Sequence, residues 1–143
     1  GTGLNALMTD VFCQIIAGEV AAPEVWRDER VVAFLDHRPV FKGHVLVCPV
    51  QHFATLPELP AELLEPLFGT AARIAAALRP AFGAEGSFVG LNNVVSQSVP
   101  HLHVHVVPRT KGDGLRGFFW PRTRYAAGEE AEYASRLRAA LTT

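Results

Sequence analysis

The chain is 143 residues long, hydrophobic over 49% of its length and charged over 19%. That length is enough to bury a core of its own, and the apolar content excludes an intrinsically disordered segment. A formal net charge of −1 excludes a general electrostatic attraction to nucleic acid or to an anionic membrane surface.

Two cysteines, Cys13 and Cys48, are too few for a disulfide framework and suit a reducing cytoplasm. The opening GTGLNALMTD lacks the basic start and apolar stretch of a secretory signal. No apolar run approaches the roughly 20 residues of a membrane span. The expectation is a single cytoplasmic domain.

DVFCQIIAGE (10–19) starts on an N-capping residue, carries an apolar stripe and stops at Gly18, which reads as a short leading helix. EVWRDERVVAFLD (24–36) reads as two strands around a polar turn at 27–30. RPVFKG is a loop, and HVLVCPV (44–50) is a further strand, closed by Pro49 and the polar pair Gln51 and His52. Between Pro57 and Pro80 the period changes. Leu63, Leu64, Leu67, Phe68, Ala71, Ala72, Ile74, Ala75 and Leu78 recur at spacings of three and four, the mark of an amphipathic helix. Pro66 marks the end of its first turn or a kink.

GSFVGLNN (86–93) and PHLHVHVVP (100–108) read as an antiparallel strand pair joined by VVSQSV. YAAGEEAEYASRLRAALT closes as a helix, with Glu129 and Glu130 in its first turn and Arg136 and Arg138 in its last. The expected fold is α+β, an antiparallel meander sheet with one long helix packed on it and a C-terminal helix. It forms one domain over 1–143, with a core at 10–110 and a tail at 111–143.

HLHVHVVPR (101–109) sets histidines at alternate positions with aliphatic residues in every gap. On a strand, residues two apart share a face, about 6.6–6.8 Å from one to the next. His101, His103 and His105 then point one way, while Leu102, Val104 and Val106 pack beneath the helix. Three readings compete for the histidine face: a polar surface, a metal site, or nucleophilic catalysis by an oriented imidazole. The neighbours favour catalysis. Ser96, Gln97 and Ser98 supply hydroxyl and amide groups suited to phosphate oxygens, and Arg109 follows directly. Cys48, set in an apolar strand, reads as an inert core thiol and not a nucleophile.

HLHVHVV has the alternating histidine signature of the histidine triad superfamily of nucleotide hydrolases and transferases, which this chain resembles. The resemblance extends to FCQIIAGEVAAPEVWRDERVVAFLDHRPVFKGHVLVCPVQH and to SQSVPHLHVHVVPR, covering roughly residues 10 to 110. It implies that His103 is the nucleophile, attacking the α-phosphorus to form a nucleotidyl-histidine that water hydrolyses. It further implies that His105 contacts the phosphate or bridging oxygen, that His101 supports the strand, and that His44 buttresses the triad. Asp36 matches the position that grips the ribose hydroxyls, with a plain turn aspartate as the alternative. Asn92 or Asn93, Gln97 and Ser98 match positions that bind phosphate or the leaving group. Phe12, Ile16, Phe34 and Leu35 are walls of a base pocket or simply core.

Two departures stand out. LNNVVSQSV carries no glycine between Asn92 and His101, where the family has a Gly-rich loop. Many members also open Cys-x-x-Cys, whereas DVFC sets Asp10 at the first cysteine. Asp10, Cys13, His52 and His101 are therefore either a structural zinc site or one that has lost its metal. The resemblance requires no cofactor for catalysis. The basic and aromatic stretch 109–125, with Arg109, Lys111, Arg116, Phe118, Phe119, Trp120, Arg122 and Arg124, reads as a contact for polyphosphate or as a subunit interface.

The resulting expectation is a homodimeric hydrolase of purine nucleotides, acting on a dinucleoside polyphosphate, an adenylate or a phosphoramidate. Two alternatives stand beside it, a nucleotide-binding regulatory module with little activity and a metalloprotein using the histidine face as ligands.

Overall fold

A computed structural model describes residues 10–116 and 121–142. The chain divides between Asp113 and Gly114 into two compact units.

The first unit opens with helix α1, Val11–Ile16, whose N-cap Asp10 accepts the Cys13 backbone N–H through Oδ1 at 2.8 Å. Gly18, at φ 82°, turns the chain out of this helix. Strands β1 (Glu24–Arg27), β2 (Val31–Leu35) and β3 (Val45–Pro49) follow, then helix α2 (Leu64–Phe82), β4 (Gly86–Gly90) and β5 (Val104–Arg109). They form one antiparallel sheet in the order β1-β2-β3-β5-β4, the expected α+β architecture.

VVAFL and VLVCP read as unbroken apolar runs because both faces of the sheet are covered. Val31, Ala33, Val45, Val47, Leu102, Val104 and Val106 face one way, in a cluster with Leu67, Ala71 and Leu78 of α2. Val32, Phe34, Leu46 and Cys48 face the other, against Phe12 of α1. The histidines share this second face, where His101 and His103 are buried and His105 is half-buried.

Three boundaries differ from expectation. The apolar period between Pro57 and Pro80 is served first by short 3-10 turns at Leu56–Glu58 and Ala61–Leu63. Helix α2 itself begins at Leu64, which puts Pro66 in its first turn, where a missing N–H costs no helical bond. It continues through Pro80 to Phe82, and Gly83 closes it at φ 72° by donating to the Arg79 carbonyl at 2.8 Å.

The third difference matters most. β5 starts at Val104, so His101 and His103 precede the ladder instead of lying on a strand. Val47 pairs with Val104, and continuing that register would set Pro49, which has no N–H to give, opposite Leu102. The Leu102 N–H instead donates to the Phe53 carbonyl at 2.7 Å. The alternation of faces nevertheless persists through 101–105, since Leu102 joins the α2 side of the core.

In the second unit, helix α3 (Glu129–Leu141) carries Glu129, Glu130 and Glu132 in its first turn and Arg138 in its last, matching the expected closing helix. None of the described helices is long and apolar enough to cross a membrane.

Leu67 is 0% exposed at the centre of the α2 side of the core. Leu67→Ala should therefore cost about 2–5 kcal/mol in urea unfolding, from lost transfer energy plus the cavity left behind.

Candidate active site

His103 is 5% exposed, and its Nδ1 lies 2.7 Å from the His101 carbonyl oxygen. A carbonyl only accepts, so Nδ1 carries the ring proton and Nε2 keeps its lone pair. The carbonyl is available because residues 101–103 lie outside the ladder.

His105 and His44 are fixed by a second chain of bonds. The Val40 N–H donates to His44 Nδ1 at 3.1 Å, so the His44 proton sits on Nε2. His44 Nε2 then donates to His105 Nδ1 at 2.9 Å, which leaves the His105 proton on Nε2. Burial, followed by the neighbouring His103 and His44, lowers the His105 pKa to about 4. Burial likewise lowers that of His44, against the opposing pull of the Asp36 carboxylate. The group Asp36, His44 and His105 also has metal-binding spacing, but the hydrogen bonds from Val40 and His44 already occupy both Nδ1 atoms.

A cavity of about 660 Å³ opens over His103 and His105. Its apolar walls come from Val11, Phe12 and Ile15 of α1 and from Phe34, Leu35 and Leu46 of the sheet. Ile15 lines it, whereas Ile16 does not. Phe12 lies edge-on to His103, with ring centroids 4.9 Å apart. Asp36 stands on the lining beside the exposed His37, its Oδ1 accepting the Arg38 N–H at 2.9 Å. That volume and this mix of apolar wall and few polar groups are typical of a small-molecule site.

Among the sequence-selected polar residues of the following loop, Ser98 lines the cavity. The others make bonds within the loop or to the segment beside it. Asn92 Nδ2 donates to the Ser96 carbonyl at 3.3 Å, and Asn93 Oδ1 accepts the Leu56 N–H at 2.8 Å. Gln97 Oε1 accepts the Val94 N–H at 3.0 Å while its Nε2 donates to the Ala54 carbonyl at 2.6 Å. These amides brace a loop without glycine, in which Val94 (φ 69°) and Ser96 (φ 64°) adopt the left-handed conformation themselves.

Behind the triad, Asp10, Cys13, His52 and His101 bring their ligand atoms within 4.8 Å of one another. His101 Nε2 bonds the Pro49 carbonyl at 2.9 Å, so its Nδ1 lone pair faces this cluster, 3.4 Å from Cys13 Sγ. His52 Nδ1 lies 3.5 Å from the same sulfur. Asp10 Oδ2, 3.1 Å from His52 Nδ1 and 3.5 Å from His101 Nδ1, is buried without a hydrogen-bond partner. Burial raises the Cys13 pKa and lowers that of His101. A thiol, two imidazoles and an unsatisfied carboxylate oxygen, converging this closely, fit the donor set of tetrahedral zinc.

Arg109 is ion-paired with Asp113 at 2.6 Å. Phe118, Phe119 and Trp120 of the basic aromatic stretch lie outside the described residues. Sequence reasoning missed the Val40 amide and the carbonyls of Pro49 and Phe53, because backbone groups leave no signal in residue identity. It also missed Val11 and Ile15, whose three- and four-residue spacing in α1 was the available cue.

Comparison with known proteins matches residues 17–112 to the HIT domain family. A Bacillus subtilis relative named "Protein hit" is 41% identical over 117 residues, 77% of each chain. An adenosine 5'-monophosphoramidase of Schizosaccharomyces pombe is 31% identical over 116 residues, 80% of this chain and 84% of its own. The asymmetrical bis(5'-nucleosyl)-tetraphosphatase of the same organism is 33% identical over 96 residues, 66% of this chain and 53% of its own. Among solved structures, a HIT family member from Bacillus subtilis has a TM-score of 0.81 at 35% identity, covering 90% of this chain and 94% of that one. A zinc-bound histidine triad family protein from Mycobacterium smegmatis has a TM-score of 0.72 at 33% identity, covering 93% and 98%.

With His105 held near 4 against an ordinary 6.5, the unfolded chain takes up a proton there before the folded chain does as pH falls. Stability is therefore full above about pH 6.5 and declines through about pH 4. Urea midpoints between pH 7 and 4 should show the decline. It should be shallower in His105→Asn, which keeps an acceptor for His44 but has no proton to gain.

Proposed function

Because the chain belongs to the HIT domain family, we propose that it is a nucleotide hydrolase acting through a covalent nucleotidyl-histidine on His103. The observation that carries this reading is the bond from His103 Nδ1 to the His101 carbonyl, which leaves the lone pair on Nε2 of a ring that lines the cavity. His103 Nε2 attacks the α-phosphorus. A P–N bond forms, the bond to the leaving group breaks, and its electron pair departs with that group. The positive charge gained by the imidazole is held by the His101 carbonyl through Nδ1–H. Water then attacks the phosphorus, gives up one proton to solvent, and the P–N pair returns to Nε2.

His105 works as a neutral donor. Its Nε2–H hydrogen-bonds a phosphate or bridging oxygen, and the chain from Val40 through His44 keeps the proton there. Asp36 binds the ribose hydroxyls at the cavity rim, and the apolar wall of Phe12, Ile15 and Phe34 takes a purine base. Ser98 is the residue of its loop best set to meet the phosphate, with Asn92, Asn93 and Gln97 shaping the loop behind it. The substrate class is a nucleoside α-phosphate joined to its leaving group by an anhydride or phosphoramide bond, as the names of two relatives suggest. Asp10, Cys13, His52 and His101 hold zinc, which ties α1 to the rest of the unit and takes no part in the chemistry. The enzyme acts in the cytoplasm as a homodimer.

His103→Ala should lower turnover by roughly 10³-fold or more while nucleoside monophosphate binding stays within a few fold. Acid-quenched wild-type protein should carry the mass of a nucleoside monophosphate on His103. Turnover by the variant at the wild-type rate would assign the nucleophile elsewhere.

A further inference from the structure

Two of the four candidate zinc ligands and part of the cavity wall meet at one short helix. Asp10 caps α1 and Cys13 lies in its first turn, both turned towards His52 and His101. Val11, Phe12 and Ile15, on the same six-residue helix, line the cavity. A helix this short has no stability of its own, so its position is set by what anchors it. One anchor is Phe12, edge-on to Phe34 at 5.3 Å and to His103 at 4.9 Å. The other is the Asp10–Cys13 end, and there Oδ2 of Asp10 is buried without a hydrogen-bond partner, 3.1 Å from His52 Nδ1.

The opposite side of the cluster needs no such help. The His101 ring is already held by the Pro49 carbonyl at 2.9 Å, and His103 is held by the His101 carbonyl. Zinc therefore adds its constraint mainly to α1, on the base side of the cavity, and little to the nucleophile.

We propose that zinc at Asp10, Cys13, His52 and His101 fixes α1 and thereby the cavity wall made by Val11, Phe12 and Ile15, so that zinc and nucleotide bind cooperatively. This rests on both readings above, the zinc site and the nucleotide cavity. Coupled sites are reciprocal: whatever factor zinc adds to nucleotide affinity, nucleotide must add to zinc affinity. Because the contact is to the base wall, metal removal should raise KM and leave kcat close to its loaded value.

The test uses the full chain, chelator-stripped or loaded with one equivalent of zinc, titrated calorimetrically with AMP. Zinc affinity is measured by competition with and without saturating AMP. Zinc should tighten AMP binding by about ten-fold, within the usual range of coupling, and AMP should tighten zinc by the same factor. Asp10→Asn separates ligation from capping, since asparagine caps a helix as well as aspartate but offers no carboxylate oxygen to the metal. This variant should bind AMP with the stripped affinity whether or not zinc is added. Zinc uptake at one per chain with equal AMP affinity in both forms would overturn the coupling and leave the zinc site standing. No zinc uptake would overturn the zinc site and the coupling together, and no AMP binding in either form would overturn the nucleotide reading and the coupling. Loss of the far-ultraviolet dichroism of the stripped chain would overturn the local coupling in favour of a metal that holds the whole unit.

Discussion

The 2.7 Å hydrogen bond from His103 Nδ1 to the His101 carbonyl is the constraint on which the rest of the site depends. An imidazole has one proton to place when neutral, and placing it on Nδ1 is what makes Nε2 nucleophilic. The carbonyl can accept that proton's bond because it has left the sheet. On the β3 side the ladder stops at Val104, where a continued register would bring Pro49, a residue without an N–H, against Leu102, whose own N–H goes to Phe53.

Burial does the complementary work on the other imidazoles. His44 is 3% exposed, and together with His105 it sits where desolvation disfavours the charged form. Both are then neutral near pH 7, and a neutral histidine has a direction: it donates at one nitrogen and accepts at the other. The Val40 amide sets that direction for His44, and His44 passes it to His105. The polar groups here are satisfied in series, which is the condition under which a buried polar network stabilises one arrangement. Asp10 Oδ2 breaks the pattern. Its lack of a hydrogen-bond partner, beside a thiol and two imidazoles, is the physical basis of the proposed zinc site.

Much of this was legible in the residues. The unbroken runs VVAFL and VLVCP and the α2 periodicity gave the sheet and its helix, because burial on both faces leaves a composition signal. HLHVHVV gave the correct sidedness, with Leu102, Val104 and Val106 under α2. What it hid was the ladder's start, which depends on a register partner 53 positions earlier than Leu102, at Pro49, and on the Phe53 carbonyl. Asn93 and Gln97 illustrate a second limit. An amide near a phosphate motif looks like a ligand, but a loop without glycine has backbone groups of its own to satisfy, and these side chains satisfy them. Asp10 and Cys13 were legible as a pair through DVFC. That the same two turns of helix also wall the cavity follows only from the folded chain.

Imidazole tautomers are directly measurable by long-range nitrogen–proton correlation spectra of the ¹⁵N-labelled protein. At pH 8, His103 should carry its proton on Nδ1, with His44, His101 and His105 protonated on Nε2. A spectrum with the His103 proton on Nε2 would remove the free lone pair there, and with it the proposed nucleophile.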